Sequence, residues 1–147
     1  MDTDPAPGPD DDVRSWPTGR LLSVAARLIE ARWMVLLEQL DLTHAGLIAL
    51  HTLGEDALPQ RVLAHRCKVT DQTMSRIIDR LYRSGFVERG ADPEDGRRVR
   101  VRATAAGRDV YRRAVVAERQ DPVVRGALGH DEAFREKLLE IVTQLGR

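Results

Sequence analysis

The stretch that most limits what this chain can become is residues 70–104, where the spacing of apolar residues changes from a helical to a strand period within a few positions. Met74, Ile77, Ile78 and Leu81 follow the i, i+3, i+4, i+7 pattern of one helix face. The other face carries Gln72, Thr73, Ser75, Arg76, Arg80 and Arg83, all able to bond phosphates or base edges, and Thr70 stands where an N-cap belongs. After Gly85 the period drops to two. Val99, Val101 and Ala103 alternate with Arg98, Arg100 and Arg102, as in a half-buried strand with a cationic outer face.

A polar-faced helix followed by an Arg-laced hairpin predicts a winged helix-turn-helix: a mainly α fold with a small β-hairpin wing, of the α+β class. The helix is expected in the major groove of double-stranded DNA, with the hairpin tip on the backbone or in the neighbouring minor groove. A net charge of zero argues against such a partner until its distribution is read. Residues 60–113 hold 14 Lys and Arg against 7 Asp and Glu, whereas the rest of the chain holds 9 against 16. The basic segment is the segment with the recognition pattern. A solvated basic face on any helical protein would segregate charge similarly, so the charge alone does not decide.

Helical segments flank this unit on both sides. Leu21, Leu22, Ala25, Leu28, Ile29, Leu36 and Leu40 form the stripe of a first helix over 18–40. Its second half, Trp33 to Leu37, is apolar nearly all round and needs more than one partner surface. Thr43 caps the next helix, with Leu42 and Leu47 as a staple and Gly54 as its stop. Pro59 opens a short third helix through Arg66, and Cys67 to Val69 form the turn before Thr70. Thr104 caps a helix carrying Val110, Tyr111, Ala114 and Val115. Pro122, Gly126 and Gly129 then interrupt the chain before a last helix striped by Phe134, Leu138, Ile141, Val142 and Leu145. A reading unit needs neither outer helix, so both are expected to pair with a second copy. A homodimer with two recognition helices about one DNA turn apart follows. The predicted organisation is a disordered acidic tail over 1–16 and a single domain over 17–147. Within that domain 18–40 and 105–147 dimerise and 42–104 bind DNA.

The length allows one domain with a real core. Cys67 is the only cysteine, which rules out an intrachain disulfide and suits a reducing, cytoplasmic location. No apolar run approaches the roughly 20 residues of a membrane span. The acidic, proline-rich start is the opposite of a cationic signal peptide.

Three runs carry a family resemblance: Leu63 to Arg76, Leu81 to Arg89, and Asp92 to Thr104 followed by Gly107-Arg108. Together they resemble the MarR family of bacterial transcriptional regulators, over about Thr18 to Leu145. The resemblance implies a winged-helix homodimer joined through its terminal helices. It implies repression of a pseudo-palindromic operator, relieved by a small anionic or phenolic ligand or by thiol oxidation. The family's wing signature Asp-x-Arg falls on Asp95-Gly96-Arg97, with Arg97 at the wing tip and Asp95 holding the wing. Gly96 stands where the family often has Arg, and is expected to loosen the tip. Lys68 stands where Gly is usual, in a turn favouring left-handed backbone that Lys adopts at some cost.

The DNA-binding set expected is therefore Thr70, Gln72, Thr73, Ser75, Arg76, Arg80, Asp95, Arg97 and Arg98. His44 and His51, seven apart, share a helical face. With Trp33 and Arg108 they are expected to border a crevice for a small aromatic or anionic ligand. No metal site is expected, since no histidine or cysteine spacing matches one. No cofactor and no enzymatic activity are expected either: there is no phosphate loop, nucleophile elbow or His-Glu-x-x-His. Asp92, Glu94 and Asp95 cluster, but on a hairpin tip in water, where carboxyls stay ordinary. Two other readings stand beside the DNA-binding regulator: a winged-helix protein-interaction module without DNA binding, and a thiol-redox-sensing regulator through Cys67. Arg66 and Lys68 beside Cys67 would favour its thiolate, whereas a cysteine at an apolar position more often serves as a small hydrophobe.

Overall fold

The computed structural model describes residues 12–146. Of the tail expected over 1–16, residues 1–11 lie outside them. Within the remainder Asp12 caps a single 3-10 turn, Val13–Ser15, by accepting a hydrogen bond from the backbone N–H of Arg14.

The elements are α1 (Thr18–Gln39), α2 (His44–Leu53), β1 (Leu58–Pro59), α3 (Gln60–Arg66), α4 (Asp71–Arg83), β2 (Val87–Ala91), β3 (Val99–Ala103), α5 (Ala105–Gln120), α6 (Pro122–Leu128) and α7 (Glu132–Leu145). Their boundaries follow the caps read from the sequence. Thr43 accepts from the N–H of Gly46 at 3.0 Å, Thr70 from Thr73 at 3.1 Å and Thr104 from Gly107 at 3.0 Å. Gly54, at φ +53°, ends α2. Pro122 takes the first turn of α6 with Asp121 as cap, and Gly126 lies inside α6 without breaking it.

Three strands, not two, make the sheet. Its order is β1-β3-β2, all antiparallel, with Leu58 and Arg89 on opposite sides of Val101. A two-residue strand leaves no alternation to read, and its Pro59, lacking an N–H, is tolerated because β1 is an edge. Fully enclosed Leu37, Leu42, Leu53, Leu63, Met74, Ile78 and Val101 gather the end of α1, the corner into α2, α2 itself, α3, α4 and the middle strand into one core. Val99 departs from the expected inward face: it is exposed, because the sheet there has already run past the core.

Between α3 and α4, Lys68 adopts φ +58°, the left-handed conformation expected of the position where glycine is usual. At the far side of the wing, the Thr104 hydroxyl donates to the carbonyl of Gly85 at 2.7 Å while the Thr104 N–H bonds the carbonyl of Phe86 at 3.0 Å. These bonds seat the first turn of α5 on the α4–β2 turn.

The outer helices find few partners within the chain. Leu37 is the only buried residue of α1, and α7 buries none. The expectation that Trp33 to Leu37 is buried on several sides thus fails for the single chain: Met34 and Val35 face outward. What holds α6 to α1 is polar. Asp121 is 4% exposed and accepts from Nε of Arg32 through both oxygens, at 2.9 and 2.6 Å. That bond, with the N–H groups of Val123 and Val124, holds its carboxyl below the usual range against the opposing effect of burial. A depressed folded pKa contributes stability above the unfolded value of about 4 and loses it as pH falls through the folded value. Wild type should therefore exceed Asp121→Asn in melting temperature at pH 7, and the gap should shrink as melts are repeated down to about pH 3. A pH-independent gap would exclude this linkage.

Candidate nucleic-acid interface

The cap at Thr70 orients α4 so that its apolar face meets the core and Gln72, Thr73 and Arg76 stand in solvent, with Ser75 half-buried. The Thr70 hydroxyl also donates to Thr73 Oγ1 at 3.0 Å, so these two expected DNA-binding residues order each other. Among the described residues, the side chains of Gln72 and Arg76 make no hydrogen bond or ion pair within the chain. Arg80 is placed differently. Its guanidinium lies 4.0 Å from Asp41, whose carboxylate also accepts from Ser84 at 2.6 Å, so it faces the α1–α2 corner. Arg89 pairs with Asp79 and lies 4.8 Å over the ring of Tyr82, bracing the last turns of α4 against β2.

Carboxylates order the wing. Asp95 accepts from the N–H of Arg97 at 3.1 Å and lies 3.6 Å from Nε of Arg98, so Arg98 is partly neutralised. Arg97 is left exposed with no side-chain partner among the described residues. Asp92 corrects the expectation of a solvated acidic tip. It is 6% exposed, accepts from the N–H of Glu94 at 3.0 Å and lies 3.3 Å from Nε of Arg100. The Glu94 bond, then the Arg100 and Arg98 charges, hold its carboxyl below the usual range despite burial.

The structure adds basic residues to the expected DNA-binding set. A cleft of about 700 Å³ separates α3 from the wing, and Arg61, His65 and Arg66 line it opposite Arg97 and Arg98. Their spacing of i, i+4, i+5 already marks one helix face. It was obscured because α3 was placed only by its ends, Pro59 and Arg66, and its faces were not followed.

The four expected ligand residues do not share one cleft. His44 and His51 do share a face of α2, and that face meets α5: His51 Nδ1 lies 2.6 Å from the Tyr111 hydroxyl, and the His44 charge acts on Glu118. His44 also lies 3.8 Å from Glu30. Trp33 lines a separate cleft between α1, α5 and α6. Arg108 is turned back to the carbonyl of Ala103 at 2.9 Å. Cys67 is half-buried against the core with its thiol 3.5 Å from the Thr52 hydroxyl. Among the described residues no helix is long and apolar enough to cross a membrane, and no group of three or more His, Cys, Asp or Glu could share a metal ion.

The model of the MarR family matches residues 40–98, which span the reading head from the corner before α2 to the wing. Over these residues the chain is similar to the MarR family. That family is one of transcriptional regulators and not of enzymes. Among its relatives, the HTH-type transcriptional regulator SarZ of Staphylococcus saprophyticus is 28% identical over 91 residues, 61% of this chain. The aligned stretch spans 62% of that curated relative's own length. Among solved structures, the reduced form of MarR from E. coli superposes with a TM-score of 0.75 at 28% identity, covering 86% of this chain and 96% of that one. The transcriptional repressor CouR, bound to a 23-mer DNA duplex, shares the fold at 23% identity with a TM-score of 0.75, covering 89% and 93%. The winged-helix architecture of this chain is thus the one expected from residues 70–104.

Proposed function

We propose that this chain is a sequence-specific DNA-binding regulator of transcription. It acts as a homodimer on a pseudo-palindromic operator, represses the promoter there and leaves it when a small ligand binds. One observation carries the reading. The exposed face of α4 and the wing tip both present unpaired cations, Arg76 and Arg97, while neighbouring arginines are tied to carboxylates. Unpaired guanidinium groups on the helix and on the wing suit base edges for one and phosphate or minor groove for the other. An interaction module would carry apolar or acidic residues on that face. The outward apolar residues of α1 and α7 supply the surface for a second copy. The DNA-bound CouR structure supports the partner class by likeness of fold.

The test is fluorescence anisotropy on a duplex selected from a random pool, across a salt series. Arg97→Ala should weaken binding to selected and unrelated duplexes alike and lower the salt slope by about 1. Arg76→Ala should cost roughly 1–3 kcal/mol on the selected site and much less elsewhere. If neither substitution changes affinity, the chain does not read DNA through this face. Repression is checked separately, by placing the selected site over a reporter promoter.

A further inference from the structure

We infer that the cleft between α1, α5 and α6 is a binding site for a small uncharged molecule with an apolar body and an amide edge, and that it excludes anions. This deepens the ligand-release reading above and departs from the anionic ligand expected around Trp33.

The cleft has a volume of about 410 Å³, within the range of small-molecule sites. Two of its lining residues hold polar atoms that are cut off from solvent and without a hydrogen-bond partner among the described residues: Trp33 Nε1 and Glu118 Oε1. One is an obligate donor and the other an acceptor when ionised. Orphaned buried polar atoms are rare and costly, so a pair of opposite character in one cleft needs an explanation. An amide edge offers its carbonyl to the first and its N–H to the second. Val124 and Leu128 of α6 supply apolar wall for the body of such a molecule. Arg119 and Arg125 also line the cleft, but both are exposed and keep their charge in water.

The inner carboxyl sets the charge rule. Burial pushes the Glu118 carboxyl up from its ordinary value, opposed by the charge of His44. A donor brought to Oε1 relieves that desolvation. A second carboxylate there adds repulsion to it.

The test compares benzamide with benzoate, which have the same ring and size and differ in offering N–H or a negative charge. The readout is the indole N–H resonance of Trp33 in two-dimensional NMR of the full chain, assigned with Trp16→Phe. DNA is absent, so failure of the operator reading and failure of this one are separate results. Benzamide should shift the Trp33 signal in a saturable way, and benzoate should bind at least about tenfold more weakly. Glu118→Gln adds a donor and removes the charge, so it should close most of that gap. Trp33→Phe should weaken benzamide in either background. Equal or tighter binding of benzoate to wild type overturns the charge rule, and no shift with either probe overturns the site. A Trp33 shift that follows protein concentration and ignores benzamide assigns the cleft to a second copy of the chain and overturns the proposal too.

Discussion

Gly107→Ala is expected to destabilise the fold by about 3 kcal/mol or more. A methyl group at this position would lie 1.9 Å from the carbonyl oxygen of Phe86 and 2.9 Å from its carbon, both backbone atoms. A flexible side chain could swing aside from such a contact; a main chain already bonded to the Thr104 N–H cannot do so cheaply. Relief would come only by lifting α5 off the α4–β2 turn, which breaks the Thr104 bonds to Gly85 and Phe86. Equilibrium denaturation measures the loss directly. A change within about 0.5 kcal/mol, the range of ordinary surface substitutions, would show that the packing of α5 on this turn is not as tight as described.

Truncation after Gly129 should convert the protein into a monomer, by sedimentation, and lower operator affinity by a factor of about 10² to 10⁴. That is the usual gain from tethering two binding heads. The helix removed contributes almost nothing to its own chain. α7 has no buried residue, and Val142 and Leu145 are 69% and 81% exposed. The reading head should keep its melting transition, since its core closes without α7. A fully DNA-competent monomer from this truncation would remove the dimer from the proposal, and loss of the head's own transition would show that α7 supports the core after all.

How much of this was legible in the sequence depends on the range of the interaction. Caps act within three residues, so Thr43, Thr70 and Thr104 could each be placed correctly. The buried face of α4 was legible because helical periodicity is local. β1 was not, since Leu58 and Pro59 owe their strand character to β3, some forty residues on. The ligand set was dispersed for a related reason. A seven-residue spacing puts His44 and His51 on one face, but nothing local says that Tyr111 and Glu118 of α5 stand beside it while Trp33 lines another cleft. Asp92 looked solvated because a run of charged residues reads as surface, and its burial comes from a partner, Arg100, across the hairpin. The apolar second half of α1 was read as needing more than one partner surface, and the single chain supplies little of it.

The middle position of β3 has a mechanical consequence. It pairs with β2 on one side and with β1 on the other, and β1 runs without a break into α3. The wing and the helix pair ahead of α4 are therefore one stiff piece, and the angle between them cannot change without parting ladder hydrogen bonds. Such a head works like a caliper with a set opening. A duplex whose major and minor grooves do not match that opening must bend or twist to be held, and sequences that deform easily will be gripped at base pairs no side chain touches.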